Sequence, residues 1–359
     1  MGRNPHLNRR EATALLLAGA ASLALPAIAA APRKLPTRGF NLPDWLAATP
    51  RPPSGAVLDK LRTTGFETIR LPVDPDLVVS PGFAAQFAEI IAATTSRGFN
   101  AIIDLHPGPT LDFDQDSDGA AARVTAAWQV LAPLVAGTPS ALVYPELLNE
   151  PPMSPAKWAP LRDSLAATVR AACPDHTLIW GPARVQGIWE LGDSTPLADR
   201  NSIAAVHYYW PMGFTHQCEN WDESPIGRFR NLPFPTTSSA PAVTALRDGF
   251  KAAGDQPALD TLAAEFDSPW TAAHIAADFA DLARWSKAHT CPAILDEFGV
   301  LNFCADPASR ANWIRAVRKA AEKHGVGWAY WEADQGFGFI ADRGSTDGFD
   351  DVAIGALLS

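Results

Sequence analysis

The chain has 359 residues, a formal charge of −10 at pH 7 and 47% hydrophobic residues, which is enough for one large core. An acidic balance with no Lys/Arg cluster argues against nucleic acid or an anionic membrane as partner. The four cysteines, Cys173, Cys218, Cys291 and Cys304, include no CxxC pair and no histidine spacing that suits zinc.

In chain order, Arg9 and Arg10 precede an uncharged run, Ala12–Ala31, which is broken by Pro26 and ends in Ala27-Ile28-Ala29-Ala30. A basic start, an apolar middle and a small-residue end make an export signal over residues 1–30, and the paired arginines point to the twin-arginine type. Pro26 and the cleavage-like end distinguish this run from a membrane anchor. Residues 31–359 are then expected as one exported domain, periplasmic or extracellular, monomeric and without stable membrane insertion. In that setting an even number of cysteines permits disulfides.

Beyond the signal, short apolar runs alternate with longer amphipathic stretches. The runs are Gly39–Trp45, Glu67–Val73, Asn100–His106, Ala141–Asn149, Thr177–Gly181, Ile203–Tyr209, Ala293–Phe298 and Gly327–Trp331. Helices are expected at Leu58–Thr63, Phe83–Thr95, Ala120–Val135, Pro155–Ala171, Ala272–His289 and Ala308–His324. Strands apolar on both faces, alternating with helices, indicate a covered parallel sheet. Eight such units in an α/β chain predict a closed (β/α)8 TIM barrel, and no GxGxxG follows the first run to favour a dinucleotide fold. Pro211–Pro241 has no clear period and is expected as a long loop after the sixth strand.

Active sites of α/β barrels lie at the C-terminal ends of the strands. The polar residues ending these runs are Arg70, His106, Asn149 with Glu150, His207 with Tyr209, and Glu297, joined by the aromatic Trp331. Glu150 and Glu297 are carboxylates on different strands that barrel closure can bring face to face, as glycoside hydrolysis requires. Asn149 could bond a sugar hydroxyl at C2. Trp189 and Trp210 follow the fifth and sixth strands and could line neighbouring subsites.

Two further features belong to the loops. Asp112, Asp114, Asp116 and Asp118-Gly119 resemble the start of a calcium loop, but the twelfth position from Asp114 is Thr125, where a bidentate Glu is wanted. A solvated turn and helix N-cap are therefore expected there. Cys218 and Cys304 follow strands six and seven in adjacent loops of the active-site face, and a disulfide between them would tie down the long loop.

The ordered motifs Ile69-Arg70-Leu71-Pro72, Asp104-Leu105-His106, Leu148-Asn149-Glu150-Pro151, His207-Tyr208-Tyr209, Leu295-Asp296-Glu297-Phe298-Gly299 and Ala329-Tyr330-Trp331-Glu332 resemble glycoside hydrolase family 5, the cellulase family. They run from residue 69 to residue 332. The resemblance implies Glu150 as general acid/base and Glu297 as nucleophile. It implies Tyr209 bonding the nucleophile, His207 beside the acid/base and Arg70 keeping the nucleophile ionised. His106 and Asn149 are implied to contact the sugar, and Trp331 to be its stacking platform.

A retaining β-glycosidase acting on a β-linked polysaccharide or oligosaccharide follows, with no metal or organic cofactor. Endo-β-1,4-glucanase activity is expected first, and β-mannanase or exo- or endo-β-1,3-glucanase activity second. A non-catalytic polysaccharide-binding barrel would be expected to lack one of the two glutamates. A metal-dependent amidohydrolase would need a His-x-His after the first strand, and Gly39–Trp45 has no His.

Overall fold

Each of the eight apolar runs supplies a parallel strand in the computed structural model, which describes residues 35–108 and 110–359. The expected export signal lies outside the described residues. The strands are β1 Gly39–Asn41, β2 Thr68–Val73, β3 Asn100–Leu105, β4 Val143–Glu146, β5 Leu178–Trp180, β6 Ser202–His207, β7 Ala293–Glu297 and β8 Gly327–Tyr330. They pair in sequence order, and β1 also pairs with β8, closing the barrel.

Helices between the strands cover the outside, among them Gly55–Thr64, Phe83–Thr95, Ser117–Ala136, Pro155–Ala172, Ala272–His289 and Pro307–Lys323. Several start on a side chain that accepts from a free backbone N–H, as Ser54, Asp116, Thr271 and Asp306 do. The larger apolar core lies between strands and helices. A smaller, separate cluster of Ile102, Tyr144, Ile179, Ile203, Ala205 and Ile294 fills the barrel interior. Side chains alternate along a strand, so Asp104, Glu146 and Asp296, two residues beyond Ile102, Tyr144 and Ile294, face the same interior one layer higher.

The structure departs from expectation in three places. Strand β1 stops at Asn41 instead of running to Trp45, because Pro43 lacks a donor and Asp44 turns to a φ of +63°. Strand β4 ends at Glu146, so Asn149 and Glu150 stand on the turn beyond the ladder, with Glu150 at a φ of +39°. The segment from Pro211 to Pro241 contains a helical turn, Met212–Thr215, and a 3₁₀ turn, Pro225–Arg228. It is followed by two further helices, Pro241–Ala253 and Gln256–Glu265. The Cys218–Cys304 disulfide is formed, with Cα atoms 6.2 Å apart, while Cys173 and Cys291 are buried.

Candidate active site

Arg70, wholly buried on β2, organises the top of the barrel. Its Nε and Nη2 donate to the two carboxylate oxygens of Glu146, each at 2.8 Å. Nη1 donates to Glu297 Oε1 at 2.6 Å and to Asn41 Oδ1 at 3.0 Å, and Nη2 reaches Asn149 Oδ1 at 2.8 Å and Asp104 at 3.0 Å. Asp296 lies 3.8 Å from Nε. One guanidinium thus faces four buried carboxylates. The surrounding acids hold it charged against burial. Burial, together with Asp296 and Asp104, pushes the Glu146 carboxyl well above the usual range although Arg70 opposes this. Asn41 adds bonds to the carbonyls of Asp296 and Tyr330, so β1, β2, β7 and β8 meet at this point.

Above this layer stand the two glutamates. Glu297 accepts from Arg70 and, through Oε2, from the Tyr209 hydroxyl at 3.0 Å. Burial and the neighbouring Glu297 and Glu150 raise the Tyr209 phenol well above its usual value, so it remains a donor. Glu150 receives a bond from His207 Nδ1 at 2.9 Å, and its own backbone N–H donates to Gln186 Oε1. Burial alone would raise the Glu150 carboxyl, but His207, His106 and Arg70 bring it below the usual value. His207 is the converse case: burial would lower it, and Glu297, Asp296 and Glu150 hold it well above its usual value. The free site therefore keeps a proton on the His207–Glu150 pair.

Oxygens of Glu150 and Glu297 and a nitrogen of His207 lie within 4.8 Å of one another. That spacing could hold a cation, though His207 uses Nδ1 as a donor to Glu150. At the earlier acidic stretch, Asp112 and Asp116 cap backbone N–H groups, as expected for a turn and N-cap.

His106 bonds Asp104 through Nδ1 at 2.8 Å, leaving Nε2 to accept from Asn149 Nδ2 at 3.2 Å. Its ring stacks with Trp331, centroids 5.7 Å apart and planes 19° from parallel. Trp189 and Trp210 lie 4.9 Å apart. Thus Glu150, Glu297, His106, Asn149, His207, Tyr209, Trp331, Trp189 and Trp210 all line one cavity of about 660 Å³, with Arg70 beneath it. A second cavity of about 650 Å³ opens on the other side of His106 and Trp331, beside Asp44, Asp74 and Asp76.

The structure adds residues that the sequence analysis did not single out: Asn41, Asp104, Glu146 and Asp296 below the site, and Gln186, His216, Trp221, Phe303 and Glu332 around it. Glu332 accepts from the backbone of Gln335 and Phe337 through Oε1, while Oε2 is buried with no bond among the described residues. Burial raises its carboxyl to about 7. With the folded value above the unfolded one, its contribution to stability is complete below the ordinary Glu range and is lost as pH rises through about 7. Glu332→Gln keeps the Oε1 acceptor. Between pH 4 and pH 8 the variant should therefore gain on the parent in thermal unfolding by on the order of 3 kcal/mol. A pH-independent difference would contradict this account.

Residues 29–336 match the family model described as cellulase (glycosyl hydrolase family 5). Endoglucanase 3 of Fibrobacter succinogenes is 25% identical over 319 residues, covering 81% of this chain and 47% of that protein. The chain therefore spans about half the length of this curated relative. Thermotoga maritima Cel5A, solved in a mutant form with cellobiose, superposes with a TM-score of 0.73 at 25% identity, covering 90% of this chain and 97% of the other. The same protein solved with mannotriose gives a TM-score of 0.72 at 25% identity, with 90% and 97% coverage. Because the matched segment includes all eight strands and both glutamates, the chain belongs to the cellulase family, glycosyl hydrolase family 5, and is a glycoside hydrolase.

Proposed function

We propose that the protein is an exported, retaining endo-β-1,4-glucanase in which Glu297 is the nucleophile and Glu150 the acid/base. The observation carrying this is the close pair of carboxylates in unlike surroundings, one oxygen of each lying within 4.8 Å of one of the other. Retaining glycosidases place their carboxyl groups about 5–5.5 Å apart, whereas inverting ones leave roughly 6.5–9.5 Å for a water. Glu297 is bonded by Arg70 and Tyr209, which favours a carboxylate aimed at an electrophile. Glu150 is bonded to His207, which carries the proton in the free site.

Substrate over Glu150 would exclude water and favour its neutral form, drawing the proton across the 2.9 Å bond from His207. Glu297 then attacks the anomeric carbon. The C–O electron pair leaves with the aglycone oxygen, which takes the Glu150 proton. In the second half, Glu150 removes a proton from water, the hydroxide oxygen bonds the anomeric carbon, and the Glu297 ester breaks. Asn149 and His106 offer polar groups to the sugar, and Trp331 a flat apolar face.

Endo action is supported by cavities on both sides of the His106–Trp331 stack, which suit a chain passing through. The Cys218–Cys304 disulfide suits an exported protein. The F. succinogenes relative is named an endoglucanase, and T. maritima Cel5A was solved with cellobiose, which favours β-1,4-glucan. Its complex with mannotriose makes β-mannan the second reading. Reducing-sugar release should be greatest on soluble β-1,4-glucan in a panel with β-mannan and β-1,3-glucan. Faster release from mannan would reverse the order, and release from none would refute the activity.

A further inference from the structure

The cavity that holds Glu150 and Glu297 has an aromatic arm that the reaction itself does not use. Among the described residues the exposed Trp and Phe side chains are Trp189, Trp221 and Phe303, at 49%, 55% and 48% exposure, and all three line this cavity. Large aromatics left half in water and converging on one cleft mark a binding surface. Trp210 packs against Trp189 and extends the wall.

Trp221 and Phe303 come from different loops, after β6 and β7, and the chain fastens them together. Cys218 lies three residues before Trp221, Cys304 one residue after Phe303, and the two cysteines are bonded. Leu301 N–H donates to the Thr215 carbonyl at 2.8 Å, and Asn302 N–H to the Gly336 carbonyl at 2.9 Å, so the Phe303 loop is tied to both neighbours. His216 fills the space below, its ring 5.1 Å from Tyr209 and 5.9 Å from Trp221. Burial pushes His216 down to about 4, so this packing carries no charge at neutral pH.

The direction of the substrate follows from Asn149. Its amide lies against His106, which stacks on Trp331, so a sugar whose 2-hydroxyl meets Asn149 occupies the Trp331 side of the scissile bond. The leaving portion then points toward Trp189, Trp210 and Trp221. The opposite cavity has a different lining, which includes Asp44, Asp74 and Asp76.

We propose that Trp221 and Phe303, braced by the Cys218–Cys304 disulfide, form with Trp189 and Trp210 a leaving-side arm that binds further β-linked sugar units beyond the one at the scissile bond. Sugars fit because they set C–H groups on a flat ring while their hydroxyls remain in water, which suits half-exposed faces. An alkyl chain would need an enclosed groove. The assignment of sides rests on the proposed roles of Glu150 and Asn149.

The test compares kcat/KM for cellopentaose with that for an aryl β-cellobioside, whose leaving group is one small ring. Trp221→Ala and Phe303→Ala should each lower the ratio of the two by about tenfold, mainly through KM for the longer substrate. Reducing the disulfide, or Cys218→Ser with Cys304→Ser, should lower the same ratio. An unchanged ratio in both aromatic variants overturns the arm, as does a preference for octyl β-cellobioside over cellopentaose. Cellotetraose affinity for the Glu297→Gln protein gives a second readout, expected to fall by about tenfold on adding Trp221→Ala. If the parent cleaves no β-glucan while this affinity still falls, the proposed activity fails and the arm stands. If the parent cleaves β-glucan and neither readout moves, the arm fails alone.

Discussion

Glu297→Gln should lower kcat by about 10⁴-fold or more on whichever β-glycan is cleaved, with the fold intact. Glutamine preserves the shape and keeps one oxygen to accept from Arg70, while its NH2 faces the Tyr209 hydroxyl, which can turn to accept; it has no anionic oxygen to bond the anomeric carbon. Steady-state kinetics with thermal unfolding on the same sample separates lost chemistry from lost structure. Glu297→Ala goes further, because the vacated space admits a small anion. Added azide should restore turnover and give a glycosyl azide of inverted anomeric configuration, readable by NMR. In Glu150→Ala the azide should enter from the opposite face and give the retained configuration. Exchange of those two outcomes would swap the roles, and residual activity near parental in Glu297→Gln would remove Glu297 from the mechanism.

The second large effect concerns folding. Arg70→Met should destabilise the protein by about 3–5 kcal/mol, the usual consequence of removing one partner from a buried ion cluster. For a chain of this size that is roughly a 4–7 °C fall in Tm. The cause is specific: Asp104, Glu146, Asp296 and Glu297 lose the single guanidinium that faces them all. Arg70→Lys should recover only part of the loss. An ammonium has three donors and no fork, so it cannot meet both Glu146 oxygens while also holding Glu297, Asn41 and Asn149. Calorimetry at several pH values checks both variants, and a Tm within about 2 °C of the parent in Arg70→Met would contradict the cluster's role.

The barrel was legible in the sequence because its strands are buried on both faces, so each reads as an unbroken apolar run. The rim residues were legible for a related reason: a His or Glu ending such a run has no core role to explain it, whereas Arg70, expected at a strand end, lies in the middle of β2 and beneath the cavity. The layer beneath was harder to see. Asp104, Glu146 and Asp296 sit within or beside apolar runs, and nothing local marks them as partners of Arg70. The signal was available only by asking what neutralises an arginine pointing into a barrel.

Pro241–Ala253 and Gln256–Glu265 were missed because they follow an aperiodic stretch and bury little, Val243 being the buried residue of the first. The Cys218–Cys304 link was legible from the sequence, but Trp221 and Phe303 beside it were not singled out as lining the cleft. Their placement on one cavity depends on that link across 86 residues together with backbone bonds between loops.

The charge balance under the catalytic floor also bears on protein engineering. Glu146 and His207 both hold their protons above the ordinary range; losing them to solvent as pH rises leaves Glu146 with a buried charge and strips His207 of the one that faces Glu297, Asp296 and Glu150. The tolerance of the fold to alkaline pH is therefore expected to find its limit at groups deep in the barrel, which supercharging the exterior or adding surface ion pairs does not reach. Raising that limit would require redesigning the buried acids themselves, for example Glu146→Gln, which removes an ionisation while keeping an acceptor for Arg70.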